Sequence, residues 1–256
     1  MSAIAASGVA FAAAPTTTTT TTTSSTTGGT SSSQDIELRT DGEISLSPIE
    51  SAVDAIKRGE FVVVVDDLDR ENEGDLVCAA SKVTQQMMAW LIRHSSGYVC
   101  ICLEKDRLEQ LDLKMMVEQN QDLHKTAYTV TCDYAHGTTT GISAHDRALT
   151  ARKLADSTTT SKDFNRPGHL VPLRANPGGV LKRRGHTEAS VDLCKLAGLP
   201  PAGIICELVK PEDPNGEMAR RDDCYEFAKK HGLKMISIEQ IEQFRRKLEG
   251  QQEEDK

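Results

Sequence analysis

The chain has 256 residues, a formal net charge of −8 and seven cysteines. The acidic balance argues against non-specific nucleic-acid binding, which needs a basic face, and no run of about 18 apolar residues is present to span a membrane. An odd cysteine count without a C-x-x-C pair argues against a disulfide or zinc framework and reads as the reduced thiols of a cytoplasmic protein.

The N-terminal stretch has the composition of an unfolded segment. Residues 1–14 are Ala-rich without Lys or Arg, Thr16 to Thr23 is unbroken Thr, and Ser, Thr and Gly continue to Ser33. Such a segment buries too little apolar surface to offset chain entropy, so residues 1–40 are expected to be a disordered leader. It lacks the basic start of a secretory signal and the Arg of a mitochondrial presequence. Residues 41–250 are enough for one well-cored domain, and 251–256 read as a frayed charged tail.

Ser47-Pro48-Ile49-Glu50 has the form of a capping box opening a helix through Arg58, with Gly59 as its stop. Phe61–Val65 is short, apolar and β-branched, a buried strand. It runs into Asp66-Asp67-Leu68-Asp69-Arg70-Glu71-Asn72-Glu73-Gly74-Asp75, where six of ten residues are carboxylates. Extended chain follows at Leu76–Ala80. Thr84 starts an amphipathic helix whose Met87, Met88, Leu91 and Ile92 read as core. Tyr98–Leu103 is a strand, with Cys100 and Cys102 expected to face opposite ways, and Glu104–Leu111 is a short helix.

Residues 112–126 show no period, and Ala127–Cys132 reads as a strand. Gly137-Thr138-Thr139-Thr140-Gly141-Ile142-Ser143 leads into a helix from Ala144 to Ala155, with Ser143 and Asp146 as a second capping box. Residues 157–186, rich in Pro and Gly, read as loop. A helix from Thr187, a strand at Gly203–Val209, a helix from Ala219 to His231, and extended Lys234–Ile236 follow. Ser237-Ile238-Glu239-Gln240 is a third capping box opening a last helix to about Leu248. Strands and helices alternate irregularly, which favours an α/β fold: a single-domain α/β sandwich with a mixed sheet flanked by helices.

Four places could carry chemistry. The acidic stretch at 66–75 is either a solvated loop or, being delivered by a buried strand, a hard-cation site with Arg70 left to meet an anion. The Gly/Thr loop at 137–143 meets a helix N-terminus and suits a phosphate or carboxylate, though Thr-rich turns are common; it lacks the Lys and spacing of a P-loop, so no nucleotide is implied. Arg166-Pro167-Gly168-His169 and Lys182-Arg183-Arg184-Gly185-His186-Thr187-Glu188 form a local basic excess that would complement an anion. Glu207 is either buried in an apolar strand, where its pKa would rise, or turned to solvent by alternation.

Several of these motifs together resemble the 3,4-dihydroxy-2-butanone 4-phosphate synthase family of riboflavin biosynthesis. They are the stretch 66–75, Ser95-Ser96-Gly97-Tyr98-Val99-Cys100, Thr138-Thr139-Thr140-Gly141-Ile142-Ser143-Ala144-His145-Asp146-Arg147, Asn165-Arg166-Pro167-Gly168-His169 and Gly185-His186-Thr187-Glu188-Ala189. The similarity covers about residues 47–248 in order. It implies a lyase that converts D-ribulose 5-phosphate to L-3,4-dihydroxy-2-butanone 4-phosphate and formate with Mg²⁺, Mn²⁺ being an alternative, and with no organic cofactor. It implies Glu71 and His186 as metal ligands. Arg70, Asp75, Thr140, Arg183, Arg184, Gly185, Thr187 and Glu207 would bind substrate, and His169 and Glu207 would be catalytic. A homodimer with sites at the subunit interface is implied as well, with Arg184 a departure from some members. Two other readings remain open at this stage, a silent sugar-phosphate binding module and a metal-dependent phosphosugar isomerase or aldolase. Cys100 is a candidate oxidation-sensitive thiol near the site.

Overall fold

The structure, a computed structural model, describes residues 44–254; the leader assigned to 1–40 lies outside them. Seven strands build one sheet: β1 (Val62–Val65), β2 (Gly74–Ala79), β3 (Cys100–Leu103), β4 (Cys132–Tyr134), β5 (Phe164–Arg174), β6 (Ala202–Glu207) and β7 (Lys234–Ser237). Their order is β4-β5-β3-β6-β2-β1-β7. The pairs β1–β7 and β3–β5 are parallel and the rest antiparallel, so the sheet is mixed as expected.

The Val62–Val65 run is apolar throughout because both faces of its strand are covered. Val63 and Val65 join a core with Met88, Leu91, Ala148 and Phe227. These come from α2 (Gln85–Arg93), α4 (Ala144–Ala155) and α6 (Arg221–His231). Val62 and Val64 join the opposite core with Ile56, Val191 and Ile241, from α1 (Ile49–Arg58), α5 (His186–Leu196) and α7 (Ile238–Glu254). A short α3 (Lys105–Gln110) follows β3. Burying each such side chain stabilises the fold by about 1.5–3 kcal/mol. The sandwich therefore fixes the ends of β1, β2 and β6 from both sides.

Local signals held unevenly. Gly59 ends α1 in the left-handed region at φ 85°; Thr84 caps α2 through Met87 N; Ser237 and Gln240 exchange both bonds of their capping box. The box at Ser47 does not form. Pro48 is the N-cap of α1, and Ser47 is drawn off to pair with Met235, its Oγ accepting from Met235 N and its N–H donating to Met235 O. Helix α7 runs to Glu254, past Gly250.

Cys100 and Cys102 lie in the same core, because residues two apart on a strand share a face. All seven cysteines are buried free thiols. The segment 127–132 makes only isolated bridges, Met115 to Thr129 and Tyr128 to Leu173, and the continuous ladder begins at Cys132. The largest departure is 157–186, which holds the eleven-residue strand β5. Its prolines and glycine do not end the strand but bulge it. The register jumps from Cys132↔Leu170 to Asp133↔Asn165, and at Gly168 a Cβ would lie 2.2 Å from the Cys132 carbonyl carbon.

Trp90, His94, Phe227 and His231 pack ring on ring between α2 and α6, with His94 and His231 centroids 5.2 Å apart. Burial first, then Lys230 and Arg93, hold His94 below its usual pKa; burial, His94 and Lys230 do the same to His231. Protons therefore bind the unfolded chain more readily. The stability this cluster gives is fully present above the ordinary imidazole value, about 6.5, and is lost as pH falls through it. The urea midpoint read at Trp90, the single Trp of the chain, is expected to drop between pH 8 and pH 5.5. A His94→Gln/His231→Gln variant should flatten that slope, and an unchanged slope would count against the cluster as its cause.

Candidate metal and substrate site

Strand β1 ends by delivering Asp66, which organises the acidic loop rather than repelling it. Asp66 is buried; its Oδ1 accepts from Glu73 N at 2.9 Å, and its Oδ2 from Glu71 N at 3.1 Å and Arg70 Nη1 at 2.8 Å. One carboxylate thus gathers two backbone N–H groups and a guanidinium, and the chain folds around it. Gly74 opens β2 where a Cβ would lie 2.5 Å from Cys224 Sγ. Its role is close approach to a neighbour, not a turn.

His186 starts α5 and is buried. Its Nε2 is 3.1 Å from the Val64 carbonyl. That contact leaves Nδ1 facing the acids. It sits 3.5 Å from Glu71 Oε2 and 3.7 Å from Asp75 Oδ1. Arg70 Nη1 also reaches Glu71 Oε2, at 2.6 Å. Asp75 Oδ1 is buried without a hydrogen-bond partner.

The charges polarise one another. Burial would lower the His186 pKa, but Asp75, then Glu71 and Asp66, raise it to about 9. Burial would raise Glu71, but His186 and Arg70 bring it to about 2. Asp75 is pushed up to about 7, by burial foremost and by Glu207, Glu71 and Glu73 against the pull of His186.

The antiparallel register sets Asp75 opposite Glu207 at the end of β6. Glu207 is half-buried, its Oε2 accepting from Ser96 Oγ at 3.0 Å and its carbonyl from Ser96 N at 2.8 Å. It is neither sealed in the apolar strand nor turned away to solvent. Arg70, Glu71, Asp75, His186, Thr187 and Glu207, together with Arg183, wall one cavity of about 90 Å³. Arg183 is fixed by Glu188 Oε2 at 2.6 Å and by the His124 carbonyl.

Other expected residues lie elsewhere on the chain. Arg184 is outside the cavity wall, bonded to Asp67 at 3.0 Å and 3.3 Å from Glu242. Gly185 caps α5 without lining the cavity. Thr140 is exposed and lines no part of it. The Gly/Thr loop already holds an anion: Asp146 Oδ2 accepts from Thr139 N, Thr139 Oγ1 and Gly141 N, at 2.8–3.0 Å. This is why Asp146 does not return the second bond of its capping box, although Ser143 caps its N–H. Burial would raise its carboxyl, but His145 Nδ1 at 3.0 Å from its Oδ1, then these loop contacts, hold it well below the usual range. His169 is also absent from the wall; its Nδ1 meets Asp133 Oδ2 at 2.7 Å, beside Gly141.

Several lining residues escaped the sequence reading. Glu73 and Tyr128 line the cavity, and Asp133 orients His169. Asp133 stands alone in its segment without a pattern to mark it, and Tyr128 looked like any strand aromatic. Cys100 lines the cavity, but burial holds its thiol well above the usual pKa, which suppresses the thiolate needed for oxidation.

A family model described as 3,4-dihydroxy-2-butanone 4-phosphate synthase matches residues 50–244. The chain belongs to that family. A synthase of this name from Schizosaccharomyces pombe is 60% identical over 200 residues, covering 78% of this chain and 97% of the relative. The Saccharomyces cerevisiae synthase is 55% identical over 207 residues, 78% of this chain and 99% of its own. A solved synthase in complex with two magnesium ions matches with TM-score 0.77 at 48% identity, over 80% of this chain and 99% of that one. The chain is thus a synthase of riboflavin biosynthesis, a lyase that converts D-ribulose 5-phosphate to L-3,4-dihydroxy-2-butanone 4-phosphate and formate.

Asp66 satisfies three donors of the synthase fold, so Asp66→Ala should leave two N–H groups without an acceptor and Arg70 with Glu71 alone. We expect a loss of about 2–4 kcal/mol in urea unfolding. A variant as stable as the parent would show that the loop folds without this carboxylate.

Proposed function

We propose that Glu71 and His186 hold the divalent cation of this synthase, Mg²⁺ or alternatively Mn²⁺, and that the surrounding residues bind and deprotonate the sugar phosphate. The observation that carries this reading is the convergence of His186 Nδ1 and Glu71 Oε2 beside the orphaned Asp75 Oδ1. A buried acceptor without a donor is a place for a cation. The donor set of carboxylate oxygens and one imidazole suits Mg²⁺ or Mn²⁺ rather than a thiophilic metal. Asp66 lies close enough to join them, its ligand atom within 4.8 Å of those of Glu71 and His186. Its lone pairs are engaged by the loop, so it supports the ligands instead. When bound, the ion polarises the sugar oxygens and stabilises negative charge developing on them.

The remaining steps fall to side chains. Arg70, Arg183 and Thr187 present donors to an anionic substrate in the cavity. Asp75 bounds the substrate beside the ion, and Glu207, facing it across the strand pair, is the carboxylate that moves protons. His169, with Nδ1 directed at Asp133, keeps Nε2 for proton transfer. No organic cofactor is needed, since a five-carbon sugar phosphate yields a four-carbon product and formate without net oxidation.

His169 and Thr140 reach a cavity of this kind in a homodimer whose sites lie at the interface, each chain lending its Asp133–His169 pair and Gly/Thr loop to its partner. Exposed apolar side chains suit such an interface: Ile142 within the loop and Tyr98 near Ser96, which bonds Glu207, each about half exposed. We place the enzyme in the cytoplasm, in keeping with its reduced thiols; no described helix is long and apolar enough to cross a membrane.

Two measurements test these roles. Purified protein with ribulose 5-phosphate should release formate when Mg²⁺ is added and stop when it is chelated, and Glu71→Gln should lose activity by about 10²-fold or more. Equal amounts of inactive Glu71→Ala and His169→Ala chains, unfolded and refolded together, should recover about a quarter of wild-type activity. Half the dimers are then mixed, and each mixed dimer has one intact shared site. No recovery would refute the shared site.

A further inference from the structure

Outside the synthase cavity, the parallel strands β3 and β5 end side by side at Leu103 and Arg174. The carboxyl ends of such strands in α/β sheets are where crevices for ligands open. A groove of about 320 Å³ lies there, walled by Lys105, Lys125, Arg174, Asn176, Arg183 and Glu188 among others. Four of these six are cations, in a chain whose net charge is −8.

The single carboxylate in the wall is already engaged. Glu188 is 1% exposed, its Oε2 taken by Arg183 at 2.6 Å and its Oε1 by Asn176 N at 2.9 Å. Three positive side chains are left. Lys105 has only an exposed partner, Glu109 at 3.5 Å, a pair of little net strength. Lys125 Nζ bonds a neutral carbonyl, that of Asn120, at 3.1 Å. The half-buried Arg174 guanidinium has no hydrogen bond or ion pair among the described residues. Holding uncompensated cations together is unfavourable without an anion. The volume suits a small organic ligand.

The geometry points to a second anion site in this groove, one that takes a phosphate or diphosphate group, distinct from the cavity that binds the sugar phosphate. Arg183 belongs to both walls. Its Nε and Nη2 are held by the His124 carbonyl and Thr126 Oγ1. An anion in the groove competes for this guanidinium and draws it from the catalytic side, so occupancy lowers turnover.

The probe is inorganic pyrophosphate, measured by equilibrium dialysis on the full chain without divalent metal. Two sites per chain are expected, of which saturating ribulose 5-phosphate displaces one. Lys105→Gln/Arg174→Gln should retain only the displaceable site, and Lys105→Gln/Lys125→Gln, with both changes on the surface, should weaken the second at least tenfold. In both variants, kcat and KM measured without added phosphate should stay within about twofold of the parent. In the parent, inorganic phosphate should lower kcat as well as raise KM, and the kcat effect should vanish in the variants. A single site, complete displacement by ribulose 5-phosphate, or unchanged second-site affinity in both variants would overturn the proposal. The synthase reading is judged separately by formate release, which none of these outcomes affects.

Discussion

The site depends on one buried carboxylate holding a run of acids in place. Six acids in ten residues would splay apart in water, and a strand that ends in such a run would fray. Asp66 prevents this by serving as the acceptor around which residues 70–73 turn. Because its charge is spent on Arg70 and two N–H groups, it leaves Glu71 aimed inward and adds little repulsion. The loop is therefore folded by its own anion, before any cation arrives. That arrangement explains why the sole Arg of the stretch cannot be read simply as a substrate ligand. Arg70 neutralises Asp66 and Glu71 while still lining the cavity.

His186 reaches the same point from the other side of the chain. Its position comes from α5, packed across the sheet, and its orientation from the Val64 carbonyl at the end of β1. A carbonyl acceptor on one ring nitrogen fixes the tautomer and turns the other nitrogen toward the acids. The strand that delivers the acidic loop thus also orients the imidazole. Sequence separation of more than a hundred residues is erased by a single backbone oxygen.

How much of this was legible follows from which interactions are local. The Val run, the Thr84 and Ser237 caps and the Gly59 stop concern neighbours a few residues apart, and they fold as read. Ser47 failed because a distant strand residue, Met235, competed for it. Strand β5 was hidden because Pro167, Gly168 and Pro172 are punctuation in most contexts. Only the pairing with β4 and β3 shows that a bulge absorbs them. The motifs of the synthase family marked Glu71, His186 and Arg183, but placing Arg184 away from the cavity required Asp67 and Glu242, two partners contributed by separate elements. Asp133 was invisible for the same reason: its role exists only through His169, reached across a register jump.

The Gly/Thr loop shows how the chain divides its labour. Its donors looked ready for a phosphate, yet Asp146 fills them from the first turn of α4. A preformed internal anion makes the loop rigid, and rigidity is what a surface element needs if it is to meet a second molecule without paying ordering entropy on contact. The exposed neighbours of that carboxylate, Thr140 and Ile142, are then presented on a stiff ridge beside the Asp133–His169 pair. One end of the sheet carries a cluster of acids around an imidazole, and another carries the hydrogen-bonded Asp133–His169 pair beside a rigid loop. Each is internally braced by a buried carboxylate, Asp66 in one and Asp146 in the other. Neither cluster needs the other to hold its shape.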